Sequence, residues 1–348
     1  MADSGAELAE AYHRDVVGPL VLARWPGLPY AAARLGSGSD VLGLDDAVSR
    51  DHDWGLRLTL LVPEDLVPSV REHLEAGLPT DYAGWPTSFA TTWRPHGGPG
   101  VEVDTVPAFT RSRLGVDTTD ADGVMPAVDW LTLSGQSVLE VTAGPVFTDR
   151  DGALTRVRRR LAWYPDDVWR YVLAADWARL AQELPLAARA ARRGDDVGSR
   201  VVMARLVGAA THLAFLLARR WPPYAKWRGT MFDRLPVAQV VGPALADALN
   251  APTGPEREAA LARALETLLV VQGDAGLPVT PSAMVPFWDR PFLGVDEGVA
   301  ARLLASVEDE AVRGLPAGVG SVEQWVDGVE VLRDPVRRRL AVAAVLGP

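Results

Sequence analysis

The stretch from Tyr30 to Val62 constrains the fold most. Tyr30 to Leu35 is a short strand candidate, Gly36 to Arg50 is rich in glycine and aspartate, and Asp51 to Val62 reads as a second strand. Leu56, Leu58, Leu60 and Val62 alternate with other residues, the period of a strand with one face on a core. A strand, a flexible loop and a returning strand commit the start of the chain to a sheet. Residues 7–24 carry helix-spaced apolar positions before it. Pro63-Glu64-Asp65 opens a helix after it, with proline and acids in the first turn. Val101 to Val106 is a third strand, beyond a long loop from Gly77 to Gly100 that is rich in Gly, Pro, Thr and Trp.

The pattern changes after about residue 125. Asp166-Asp167 cap a helix from Val168 to about Leu184, and a second runs from Val197 to Trp221 and stops at Pro222-Pro223. Further helices fit Val237 to Leu249, Glu256 to Val271, Val295 to Arg313 and Val322 to Val331. The expected fold is therefore an α/β (α+β) mixed sheet over residues 1–150, followed by a mostly α-helical domain over 151–348. With 348 residues, 48% of them hydrophobic, the chain can bury two such cores. The apolar run Val201 to Ala218 is interrupted by Arg205 and His212 and reads as a buried helix, not a membrane span.

The chain has no cysteine, which removes disulfides and thiolate metal sites, and its first twenty residues have no basic segment before an apolar run. A cytoplasmic setting without a membrane partner is expected. The net charge of −10 argues against a broad nucleic-acid surface.

The loop between the first two strands carries the chemistry. In a strand, residues two apart project from one face, so Asp51 and Asp53 place two carboxylates about one cation apart. Hard oxygens that leave room for water and phosphate suit Mg²⁺. The Gly38-Ser39 turn lets backbone approach a phosphate, with N–H groups and the Ser39 hydroxyl as donors, and Gly36-Ser37 is a second frame for the same role. A metal–triphosphate held there is set for in-line attack by an acceptor hydroxyl.

This arrangement resembles the polymerase-β-like nucleotidyltransferase superfamily, whose signature is a Gly-Ser turn followed by Asp-x-Asp on a strand. Gly36-Ser-Gly-Ser-Asp40, Ser49-Arg-Asp-His-Asp-Trp54, Gly144-Pro-Val-Phe147 with Asp149, Pro223-Tyr-Ala-Lys-Trp227, Asp289-Arg-Pro-Phe292 and Gly320-Ser-Val-Glu-Gln324 extend it. Together they resemble an uncharacterised bacterial family with a nucleotidyltransferase-like N-terminal domain and a helical C-terminal domain. The resemblance implies that fold, Mg²⁺ and ATP or another nucleoside triphosphate. It also implies nucleotidyl transfer but supplies no acceptor; the reaction expected here moves a nucleoside monophosphate to a hydroxyl of a small acceptor, with the helical domain shaping the acceptor pocket. A protein or RNA acceptor, or a silent nucleotide-binding scaffold, are the alternatives. Two departures stand out. Arg50 separates Ser49 from Asp51, where the better-known members have Ser-Asp-x-Asp, and the third carboxylate is Glu102, Asp104 or neither, since period-2 spacing places both on one face without choosing between them.

The 35 basic residues include a single lysine, Lys226, in Pro-Pro-Tyr-Ala-Lys-Trp. It is read as a contact to the triphosphate or the acceptor, against the alternative of a cation stabilised at a helix C-terminus. Arg290 has a phosphate contact and a local ion pair as its two readings. His212, on an apolar helix face, is read as a satisfied core histidine. The basic run Arg156 to Arg160 is read as a solvated face.

Overall fold

The computed structural model describes residues 4–48, 54–91, 95–118 and 124–347. Asp51 and Asp53 lie outside the described residues, as do Ser49, Arg50 and His52. The chain divides into two units, residues 1–125 with 137–162, and residues 126–136 with 163–348. The expected division after residue 150 thus falls inside the first unit, and the short segment 126–136 belongs with the helical one.

The first unit opens with helix α1 (Gly5–Tyr12), a π turn (His13–Val17) and α2 (Gly18–Arg24). The turn widens just before Pro19, which has no N–H to donate to the ladder. Strand β1 (Ala31–Ala33) and β2 (Leu58–Leu61) pair antiparallel. Helix α3 (Val67–Gly77) follows, then a short hairpin of β3 (Asp81–Tyr82) and β4 (Trp85–Pro86), and β5 (Val101–Asp104), which pairs parallel with β2. After α4 (Val106–Leu114), the short α5 (Ala127–Leu131) that belongs to the second unit, and α6 (Gly135–Thr142), β6 (Val146–Asp149) joins the other edge antiparallel to β1. The sheet order is β5-β2-β1-β6, a mixed sheet as expected.

One face of that sheet carries the core. Leu56, Leu58, Leu60 and Val62 meet Val101 and Val103, the helix residues Leu8, Tyr12, Val17 and Val21, and Val70 and Leu74 of α3. Each such side chain contributes roughly 1.5–3 kcal/mol of burial. The alternation read from the sequence is therefore the core face. The strand itself is shorter than expected. It begins at Leu58, and residues 54–57 form a bend in which Gly55 has φ 148°. The loop expected over 77–100 holds a hairpin, extended by a bridge between Ser88 and Pro99.

β6 was not read from the sequence. It reaches β1 because Gly144 has no side chain: a Cβ there would lie 1.7 Å from the Arg34 carbonyl oxygen. The Arg34 N–H then donates to the Pro145 carbonyl at 3.0 Å. The Gly144-Pro-Val-Phe motif is thus a strand-docking device, and Asp149 caps the next helix, α7 (Ala153–Arg160), by accepting from the Thr155 N–H and hydroxyl.

The second unit is helical, with α8 (Asp166–Arg192), α9 (Asp196–Leu217), α10 (Ala225–Phe232), α11 (Ala238–Asn250), α12 (Gly254–Asp274) and α13 (Glu297–Ala305). α8 runs past the expected stop at Leu184 and through Pro185, which is itself buried. α9 is long and apolar enough to cross a membrane by composition, and it packs among α8, α11 and α12 as a bundle helix. The helix expected over 295–313 breaks at Val307, where Asp309 caps a separate short turn.

A buried ionic group ties this unit together. His212 on α9 is 4% exposed; its Nδ1 lies 2.6 Å from Asp176 of α8, and its Nε2 lies 3.6 Å from Glu323. The other Glu323 oxygen accepts from the Gly135 N–H at 2.9 Å. The core-histidine reading is therefore extended: the ring is buried between two carboxylates. Burial alone disfavours the charged ring, but the Asp176 charge and hydrogen bond, with Glu323, outweigh it and raise the pKa from 6.5 to about 9. A raised folded-state pKa contributes stability that is complete below the unfolded value and is lost as pH rises through the folded one. Chemical denaturation should thus show unfolding free energy falling from pH 6.5 towards pH 9, and His212→Gln should flatten that slope. Asp176→Asn should cost about 3–5 kcal/mol in the same measurement, the cost of leaving a buried charge without its partner.

Candidate functional site

The loop after β1 is organised by one buried ion pair. The Arg34 Nε donates to Asp40 Oδ2 at 2.6 Å and its Nη2 donates to Asp40 Oδ1 at 2.8 Å, with the two side chains 2% and 4% exposed. The same guanidinium donates to the Leu35 carbonyl and, at 2.9 Å, to the Ser37 carbonyl. Arginine's fixed fork of donors makes this possible. The turn Gly36–Ser39 is thereby wrapped around a charged centre. Arg57, at the foot of β2, adds a second donor to the Ser37 carbonyl at 2.9 Å.

Glycine is required at two points of this wrap. Gly36 has φ 81° and Gly38 has φ 139°, values that side-chain-bearing residues rarely adopt. A Cβ on Gly38 would lie 2.2 Å from Asp40 Oδ1 and 2.5 Å from Arg34 Nη2. Beyond it, Asp40–Leu42 forms one 3₁₀ turn that ends at Gly43, whose φ is 63°. Asp45 anchors the rest of the loop by accepting from the Gly5 N–H at 2.7 Å and the Trp54 indole at 3.2 Å.

The turn is polarised. Two of its carbonyls are occupied, with Ser37 accepting from two arginines and Ser39 accepting from the N–H groups of Leu42 and Leu44. Among the described residues, none accepts from the N–H groups of Ser37, Gly38 or Ser39. These three residues are half-buried. Consecutive open N–H groups in a half-buried turn form a concavity suited to anion oxygens.

The sheet register separates the two candidate acids. Ala33, Thr59 and Glu102 form one row across the strands, and Ala31, Leu61 and Asp104 form the next. Val101 and Val103 face the core, so both acids face away from it, as expected. β1 runs into the turn at its Ala33 end, so Glu102 stands in the row beside Gly36–Ser39. Asp104 is one row further off, and its carboxylate accepts from the neighbouring Thr105 N–H at 2.8 Å. Glu102 is held by Arg113 of α4 at 3.2 Å, and Arg113 also faces Glu140 of α6 at 3.6 Å.

Lys226 belongs to the second unit, near the start of α10, with its ammonium 4.8 Å from the centre of the Trp227 ring. Arg290 sits at the tip of a hairpin between Met284–Pro286 and Leu293–Val295, against Phe287, and among the described residues it makes no ion pair with Asp289. Among the described residues no group of three or more His, Asp or Glu is arranged to hold a metal. Glu102 is the described hard-oxygen donor beside the turn, and the turn's open N–H groups suit the phosphates that would accompany a metal.

Sequence reasoning missed Arg34, Arg57, Arg113 and Glu140. Arg34 had a legible signal, a charge closing the apolar run Ala31-Ala-Ala with a carboxylate six residues on. The others are brought in by the sheet and helices.

Residues 130–228 match the model of a family described as a domain of unknown function, DUF4037. A solved nucleotidyltransferase-like protein from Exiguobacterium sibiricum is similar over 77% of this chain and 78% of its own, at 14% identity and a TM-score of 0.35. No curated protein matches.

Gly38→Ala should destabilise the first unit by about 1–3 kcal/mol through backbone strain and loss of the Asp40 contact, read as a lower Tm. Arg34→Met should cost about 3–5 kcal/mol by stranding Asp40. Asp40→Asn should cost a similar amount, because Arg34 stays charged and one of its donors then faces the amide NH₂.

Proposed function

We propose that the chain is a Mg²⁺-dependent nucleotidyltransferase. It takes a nucleoside triphosphate, ATP by default on abundance, and transfers the nucleoside monophosphate to a hydroxyl of a small acceptor, releasing pyrophosphate. The observation that carries this reading is the Gly36–Ser39 turn, where the N–H groups of Ser37, Gly38 and Ser39 have no acceptor among the described residues while the Ser37 carbonyl is tied down by Arg34 and Arg57. A turn so polarised binds anion oxygens, and its place between the first two strands is where the sequence resemblance expects triphosphate.

Roles follow for the chain's own residues. Ser37, Gly38 and Ser39 donate to the β- and γ-phosphate oxygens. Asp51 and Asp53 supply the metal's carboxylates on the sequence pattern, and Glu102 is the third acid, favoured over Asp104 by its row in the sheet. The cation neutralises phosphate charge when bound. A carboxylate beside the turn accepts the proton of the acceptor hydroxyl. The new bond joins acceptor oxygen to the α-phosphorus, and the bond to the bridging oxygen of pyrophosphate breaks.

The test is pyrophosphate release by the full chain with Mg-ATP and a panel of hydroxylated acceptors. Turnover that Asp53→Asn abolishes supports the reading. Glu102→Gln should lower kcat by about 10²-fold or more, the usual scale for losing a proton-transfer or charge-stabilising group, while Asp104→Asn should leave it within a few fold. Absence of both triphosphate binding and pyrophosphate release would overturn the reading. Labelling of a macromolecule in a lysate with α-labelled ATP would move the acceptor to protein or RNA.

A further inference from the structure

Arg113 is the remaining charged group beside the turn, and its surroundings are unusual for a helix arginine. Its Nη2 lies 3.2 and 3.4 Å from the two oxygens of Glu102 on β5. Its Nε lies 3.6 Å from Glu140 on α6. Its guanidinium lies 4.8 Å from the centre of the Phe109 ring, which fixes the side chain along its own helix. An Nη2 proton donor stands 3.7 Å from where a Cβ on Gly36 would be. The N–H of Gly36 donates to the Glu140 carbonyl at 2.8 Å, so α6 and the turn are held together independently of the Glu140 side chain.

One guanidinium thus bridges two carboxylates on two different elements at the mouth of a turn with open N–H groups. The side chains are 26%, 39% and 20% exposed for Arg113, Glu102 and Glu140, so this is a wet cluster that contributes little to stability. Its value lies in placement. A planar fork matches two phosphate oxygens, and charge-assisted bonds of that kind are the stronger class. An anion on the turn competes with Glu102 and Glu140 for the same donors.

We propose that Arg113 is a phosphate-binding residue of this site, parked on Glu102 and Glu140 in the free chain and transferred to the triphosphate when it binds. The exchange rests on the reading of the turn as a triphosphate site. It has a second consequence. When Arg113 leaves Glu102, both carboxylate oxygens of Glu102 become available, so phosphate binding and release of the third acid are one event. By linkage, weakening the parked state tightens phosphate binding.

The test is calorimetric binding of Mg-ATP and of inorganic tripolyphosphate, with and without Mg²⁺, to the full chain. Arg113→Gln should weaken both ligands by about tenfold or more, the scale of a lost charged hydrogen bond. Arg113→Lys should recover part of that loss, because it keeps the charge and loses the fork. Glu140→Gln should tighten both ligands several-fold in the wild-type background and leave the Arg113→Gln chain unchanged, whereas relief of charge repulsion alone would tighten both. Melting curves of each variant report whether it folds. If the wild-type chain binds neither ligand, this proposal and the triphosphate reading fall together. If it binds them and folded Arg113→Gln binds within twofold of it, only this proposal falls. Unchanged or weaker binding by Glu140→Gln would overturn the exchange even if Arg113→Gln did not fold.

Discussion

The buried pair of Arg34 and Asp40 is the interaction on which the first unit's functional geometry depends. A guanidinium and a carboxylate out of water need every donor and lone pair used. Here the cheapest way to do so is to fold the intervening turn onto the guanidinium. Leu35 and Ser37 therefore aim their carbonyls at Arg34, and among the described residues nothing accepts from the N–H groups of Ser37, Gly38 and Ser39. The polarity of the turn is a consequence of satisfying a buried charge. Gly38 is glycine because the same pair leaves no room for a Cβ.

The sheet then decides what meets the turn. β2 is the shared strand, antiparallel to β1 and parallel to β5, so the ends of all three that matter lie together. Glu102 arrives beside the turn through its row with Thr59 and Ala33, and Arg113 arrives because α4 follows β5 directly. β6 completes the other side, docked through Gly144 onto the Arg34 backbone. Arg34 is in this way fixed by its main chain as well as by its side chain.

The helical unit solves a different problem with similar means. α8 and α9 bury a histidine between Asp176 and Glu323, and the retained proton makes that arrangement tolerable. Glu323 also binds the Gly135 N–H, so the group reaches the segment 126–136 that precedes the rest of its unit in the chain. The Gly320-to-Gln324 motif gains a physical meaning here. Ser321 and Gln324 cap each other, and the turn they close presents Glu323 to His212.

Local periodicity was enough to read a strand on either side of the glycine loop, although β2 begins only at Leu58, and to read the shared face of Glu102 and Asp104 and the helical second half. Those features depend on residues a few positions apart, where side-chain direction follows from backbone period alone. Asp51 and Asp53 remain a reading of that kind, since they lie outside the described residues. The choice of Glu102, the partners of Arg34 and Arg113, the docking of β6 and the ionic setting of His212 depended on tertiary structure. Each joins residues whose separation in the chain carries no periodic signal, and each is selected by the need to pair a charge or fit a backbone at close range. The sequence by itself determined that a glycine turn was accessible at Gly36–Ser39; the buried Arg34–Asp40 pair decided how that turn is folded.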